Sequence, residues 1–97
     1  MTSSSTTAPT IGVQVRFFAA AAEAAGTSHE QVALPDGGTG ADLVAALGAA
    51  HGEALARVLA ISSLLVEGVV AEDLAAPLAA PGTASLRVDV LPPFAGG

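Results

Sequence analysis

Residues 11–18 alternate with a period of two: Ile11, Val13, Val15 and Phe17 are interleaved with Gly12, Gln14, Arg16 and Phe18. That period predicts a strand with one buried face. Residues 19–25 hold one glutamate, Glu23, among six alanines and stop at Gly26. High helix propensity ending on a glycine predicts a short helix with a left-handed cap. Residues 29–34 form a second strand candidate, closed by the turn sequence Pro35-Asp36-Gly37-Gly38. Thr39 then offers a capping hydroxyl and Asp42 a carboxylate three residues later, the signature of a capping box. Leu43, Val44, Leu47 and Ala50 follow at helical spacing, which predicts the main amphipathic helix. Gly48 and Gly52 weaken its end, and residues 53–59 read as a further helical turn or two.

Toward the C-terminus the period returns to two. Leu64-Leu65-Val66 and Val69-Val70 flank Glu67-Gly68 and predict a hairpin. Pro77 and Pro81 break residues 72–81 into an irregular connection with short helical turns. Leu86, Val88 and Val90 then alternate with Arg87 and Asp89 in a last strand. Strands around one principal helix predict an α+β domain, a mixed sheet packed on that helix. The cleanest alternations belong to the first and last strands, which makes sense if the two lie side by side in the middle of the sheet, each with one face to the helix and one to solvent. Residues 1–10, rich in serine and threonine and without periodicity, read as a disordered leader to a domain at 11–97.

Composition narrows the function. The 97 residues contain no Cys, Trp, Tyr or Lys, and 23 are Ala, so the larger apolar side chains suffice for one small core. Absence of cysteine rules out disulfides, a thiol nucleophile and cysteine-ligated metal. Two histidines, His29 and His51, are too few for a histidine-rich metal centre, so no metal site is expected. The net charge of −6, with three arginines, excludes a basic nucleic-acid footprint and points to basic partners at long range. The start lacks both the positive and the apolar segment of an export signal. Residues 58–66, the longest apolar run, are too short to cross a bilayer, so a cytoplasmic protein is expected.

Side-chain chemistry is sparse. Neither a nucleophile–base spacing nor a phosphate-binding glycine loop is present. Glu72-Asp73, Glu67 and Asp89 read as solvated acids, and His29 and His51 as surface or capping residues. Arg16, Arg57 and Arg87 read as solubilising or locally paired. Phe18 is either the start of the short helix or an exposed contact, and Phe94 either a local core plug or a partner contact.

The distinctive feature is the ending, Leu91-Pro92-Pro93-Phe94-Ala95-Gly96-Gly97. Terminal Gly-Gly arises by chance in about one chain in two hundred, and the upstream proline pair makes coincidence a poorer account. Two prolines favour an extended polyproline II path out of the sheet. Gly96 and Gly97 have no side chains, so the tip can thread a narrow channel. The Gly97 carboxylate becomes reactive once a partner converts it to a mixed anhydride with AMP, and sulfur or an amine can then capture it.

Residues 11–19, the hairpin around Glu67-Gly68 and the Pro-Pro-Phe-Ala-Gly-Gly ending resemble the ubiquitin-like sulfur-carrier family, in particular its molybdopterin synthase small-subunit branch. The resemblance spans residues 11–97. It implies a β-grasp fold, a subunit that is not catalytic alone, and no bound cofactor. It further implies that an ATP-dependent activating enzyme adenylates Gly97 and converts it to a thiocarboxylate. The tail then enters the large catalytic subunit of molybdopterin synthase, where sulfur passes to cyclic pyranopterin monophosphate. By the same resemblance Pro92, Pro93, Phe94, Ala95 and Gly96 line the partner's groove. This chain departs from the family in lacking an arginine at residues 19–22, in carrying Pro81-Gly82-Thr83-Ala84-Ser85 before the last strand, and in having Glu67 where asparagine is frequent. Two alternatives use the same tail: a carrier for thiazole or cysteine synthesis, and a ubiquitin-like modifier that ends in an isopeptide bond.

Overall fold

In a computed structural model of the chain, which describes residues 9–93, the alternating segment becomes β1 (Thr10–Phe17). After it come α1 (Ala20–Ala25), β2 (His29–Pro35), α2 (Gly40–His51), α3 (Glu53–Ala60), β3 (Ser63–Val66), β4 (Val69–Val70) and β5 (Ser85–Leu91). The five strands form one mixed sheet in the order β2-β1-β5-β3-β4. β1 and β5 run side by side at its centre, the placement that makes sense of their clean alternation; their pairing is parallel and every other one antiparallel. One face of this sheet packs on the helices, which is the β-grasp arrangement.

The core follows the alternation. Ile11, Val13, Val15 and Phe17 from β1 and Leu86, Val88 and Val90 from β5 are buried against Leu43 and Leu47 of α2 and Leu55 and Leu59 of α3. Each fully buried aliphatic side chain contributes roughly 1.5–3 kcal/mol over its exposed state. Leu43, Leu47, Leu55 and the four central valines are therefore the main source of stability. Ala50 shares the helical spacing but is exposed, and half-buried Ala46 packs on the core instead.

Local chemistry fixes the element ends. Thr39 Oγ1 accepts from the Asp42 N–H at 3.1 Å and the Asp42 carboxylate accepts from the Thr39 N–H at 3.0 Å, completing the capping box. Gly26 closes α1 at φ 76°, and Glu67 (φ 50°) with Gly68 (φ 84°) turns the β3–β4 hairpin. Left-handed conformations at both central residues match the twist of the strands they join.

Two expectations are corrected. The strand starts at Thr10, inside the segment read as a leader, and the Pro9 carbonyl accepts from the Asp36 N–H at 3.0 Å. Residues 1–8 lie outside the described residues. The connection at residues 71–84 contains turns but no helix. It is a strap across the start of α2: Ala41 N–H donates to Leu74 O and Leu78 N–H to Gly38 O, both at 2.9 Å. These bonds satisfy backbone groups that proline-broken sequence cannot pair within a helix.

Candidate functional site

The tail leaves from the centre of the sheet. At its last turn of pleat β5 is flanked on both sides, with Val90 opposite Phe17 and Leu64 and with Leu91 opposite Ser63. The Phe18 N–H donates to the Val90 carbonyl at 3.3 Å, using an acceptor at the strand end. Pro92 is buried and Pro93 exposed. Neither proline has an N–H to extend the ladder, so the strand ends here. Phe94, Ala95, Gly96 and Gly97 lie outside the described residues, and with them the choice between core plug and partner contact for Phe94.

The sheet face turned away from the helices adjoins this exit. Side chains out of phase with the core line up across the strands in rows set by the register. One row runs Gln31, Gln14, Arg87; the next runs His29, Arg16, Asp89, Leu65, Val70. A groove of about 730 Å³ lies on the β2–β1–β5 part of this face, with Gln14, Arg16, Phe18, His29, Gln31 and Arg87 along it.

Two acids read as merely solvated are engaged here. Asp89 binds Arg16 through two bonds, Nε to Oδ1 at 2.9 Å and Nη2 to Oδ2 at 3.1 Å. The hydrogen bond to Asp89, and then its charge, raise the Arg16 pKa above its ordinary value, so Arg16 is a permanent cation. Its guanidinium carbon also lies 5.3 Å from the centre of the Phe18 ring, within cation–π range. Phe18 is thus neither helical nor free: it is half-buried beneath Arg16 just before α1. Glu67 closes the hairpin onto β5, its carboxylate accepting from the Arg87 N–H at 2.8 Å and its own N–H donating to the Arg87 carbonyl at 2.9 Å.

The arginines read as solubilising or paired divide cleanly. Arg16 is paired with Asp89, and Arg57 with Glu53 one helical turn away at 3.3 Å. Arg87 has no ion-pair partner among the described residues.

The histidines also differ. His29 is exposed, as expected, with Nδ1 3.3 Å from Ser28 Oγ. His51, read as a capping or surface residue, is half-buried at the end of α2. Its Nε2 meets the Glu30 carboxylate of β2, and its ring stands edge-on to Phe17 with centroids 6.0 Å apart. This joins the helix end to the sheet beside the strand that carries the face. No group of three or more metal-ligating side chains occurs among the described residues, and no helix there is long and apolar enough to cross a membrane. What the geometry offers is an ordered polar face that adjoins the end of β5.

Known structures share this arrangement. The chain superposes on the crystal structure of SAMP1 from Haloferax volcanii with a TM-score of 0.72 and 29% identity, covering 89% of this chain and 99% of that one. The Haloferax volcanii HVO 2177 protein is 26% identical with a TM-score of 0.75, covering 98% and 94%. A putative molybdopterin converting factor, subunit 1, from Pyrococcus furiosus shares the fold at 24% identity and a TM-score of 0.72, covering 87% and 99%. No curated protein matches the chain. The ThiS family model matches residues 15–97, from the core of β1 through the Gly-Gly ending, and this chain therefore belongs to the ThiS family.

Proposed function

We propose that this protein is the sulfur-carrier subunit of a molybdopterin synthase. An ATP-dependent enzyme transfers AMP to the Gly97 carboxylate with release of pyrophosphate. A sulfur nucleophile then displaces AMP and leaves a thiocarboxylate. In complex with the large catalytic subunit, the carrier delivers that sulfur to cyclic pyranopterin monophosphate, and two such deliveries build the dithiolene of molybdopterin. The carrier itself binds no cofactor, supplies no catalytic side chain, and acts in the cytoplasm.

The observation that carries this reading is the Pro92-Pro93-Phe94-Ala95-Gly96-Gly97 ending placed directly after the central strand β5. Support for a two-subunit assembly comes from a relative of the same fold, a complex of subunits 1 and 2 of the molybdopterin-converting factor from Helicobacter pylori (22% identity, TM-score 0.59, covering 90% of this chain and 100% of that one). A second reading, a protein modifier, is favoured by the likeness to SAMP1, a small archaeal modifier protein. The chain has no lysine of its own, so a modifier of this sequence would decorate other proteins without building side-chain-linked chains on itself.

Intact-mass analysis of the protein purified with its native activating system tests the choice. Replacement of one terminal oxygen by sulfur, together with loss of molybdopterin formation when Gly97 is deleted, is the expected result. A ladder of heavier conjugates in place of the sulfur adduct would favour the modifier. Unchanged molybdopterin formation without Gly97 would refute the carrier reading.

A further inference from the structure

The sheet has two edges of unequal length. β4 closes one side with two residues, and β2 closes the other with seven. Among the described residues, no strand pairs with the outer edge of β2. Two bonds show which of its backbone groups face β1: Phe17 N–H donates to Ser28 O at 2.9 Å and Asp36 N–H to Pro9 O at 3.0 Å, just beyond the two ends of the strand. Antiparallel bonding alternates along a strand. Glu30, Val32 and Leu34 therefore bond to β1, while His29, Gln31, Ala33 and Pro35 turn their backbone groups outward. The outermost of these are already closed. Thr27 Oγ1 donates to the His29 carbonyl at 3.0 Å and accepts from the His29 N–H at 3.4 Å. Pro35 has no N–H, and its carbonyl accepts from the Gly38 N–H at 2.9 Å. The open groups are thus the N–H and C=O of Gln31 and of Ala33, both exposed. Such edges are usually guarded by charge. Here the chain has no lysine, and the one carboxylate of β2, Glu30, is held by His51.

We infer that β2 pairs antiparallel with β2 of a second copy of this chain, about a two-fold axis at Val32. Gln31 of each copy then faces Ala33 of the other, and the bonds exchanged use every open group of both edges. The pairing stops itself on either side, where Pro35, without a donor, meets His29, whose groups Thr27 holds. A shift of register by two residues sets Ala33 against His29 or Gln31 against Pro35, neither of which is open. On the axis, Val32 meets Val32 as a non-hydrogen-bonded pair with Cα atoms about 4.5 Å apart. Its side chain is half-buried and packs on the core, so the contact carries the core across the axis. Glu30 lies opposite Leu34, and no carboxylate meets its own copy. A foreign strand would have to supply this pattern; a second copy supplies it by symmetry.

The seam is short, below the roughly 800 Å² per partner of a standard interface, so the dimer is weak and forms in concentrated solution. The charge of −6 on each copy opposes association, and salt relieves that repulsion. The proposed carrier role is left unobstructed. β5 is separated from β2 by β1, and the two-fold axis sends the C-terminal ends of the two β5 strands to opposite sides of the joined sheet.

Sedimentation velocity from about 10 μM to about 1 mM, in about 0.5 M salt, tests this. The wild-type chain is expected to pass from monomer to dimer over that range. Ala33→Pro removes an outward N–H and spares the bonds to β1; it is expected to remain monomeric, with circular dichroism showing that it is folded. The chain has no cysteine, so Val32→Cys gives an independent reading. With oxidised glutathione as oxidant it is expected to form a disulfide-linked dimer about tenfold faster than Ala54→Cys, although Ala54 is the more exposed site. A wild-type chain still monomeric at the highest concentration overturns the inference and leaves the edge to residues 1–8 or to a foreign strand. An Ala33→Pro variant that dimerises like the wild type overturns it too, as does cross-linking of Val32→Cys no faster than that of Ala54→Cys.

Discussion

Arg16 and Asp89 stand opposite one another on the parallel strands β1 and β5, joined by two hydrogen bonds of 2.9 and 3.1 Å. The residues are 73 positions apart in sequence. Because the pair lies on the outer face, water and salt compete with it. Asp89→Ala is therefore expected to lower stability less than truncation of the neighbouring core residue Val88 to alanine. A double-mutant cycle with Arg16→Ala should return a favourable coupling that shrinks in about 1 M salt. A coupling of zero at low salt would mean that the bidentate geometry does not hold in solution.

The core is small, so single truncations in it are costly. Leu47 is fully buried between helix and sheet. Leu47→Ala is expected to remove roughly 2–5 kcal/mol, a large share of the 5–15 kcal/mol typical of a folded domain. Urea denaturation should show a much lower midpoint, or no folded baseline at all. Ala50→Leu, at an exposed site on the same helix, should leave the midpoint nearly unchanged.

The capping box at Thr39 and Asp42 starts the main helix. Thr39→Ala removes the acceptor for the Asp42 N–H and is expected to cost about 1 kcal/mol. Thr39→Ser keeps the hydroxyl and should stay close to the wild type. Equal losses in the two variants would assign the effect to the methyl group instead.

Ala19 stores strain. It enters α1 at φ 53° and ψ −127°, a region that suits glycine and costs a side-chain-bearing residue about 1–3 kcal/mol. Ala19→Gly relieves this strain while adding about 0.5–1 kcal/mol of unfolded-state entropy. Net stabilisation of roughly 1 kcal/mol is expected in denaturant titrations. A loss of stability would show that the Ala19 methyl makes contacts worth more than the strain.

Much of the fold is legible in the sequence because local rules act on neighbours. Alternation at Ile11, Val13, Val15 and Phe17 places β1, and Thr39 with Asp42 marks the start of α2. The hairpin at Glu67-Gly68 follows from its glycine and the valines around it. The misreadings fall where the partner is distant. Asp89 and Glu67 look like ordinary solvated acids until the register sets them beside Arg16 and the Arg87 backbone. His51 reads as a capping residue until the fold brings Glu30 and Phe17 to its ring. The alternation does put Arg16, Arg87 and Asp89 on the outer side of their strands, and that signal could have been pursued. It becomes a face only once β1 and β5 are known to be neighbours in a given register.

By itself, then, the sequence determined most of the elements, the apolar face of the main ones, and the Pro-Pro-Phe-Ala-Gly-Gly order of the ending. These are properties of adjacent residues: dihedral preference, side-chain period, capping and composition. Only the tertiary structure decided that this ending leaves from the central strand. It alone decided that Arg16 is held by Asp89 while the Arg87 guanidinium stands unpaired among the described residues, and that a strongly acidic chain has a charge-balanced outer sheet face. Those relationships are contacts across tens of residues, set by strand order and register, and no local pattern encodes them.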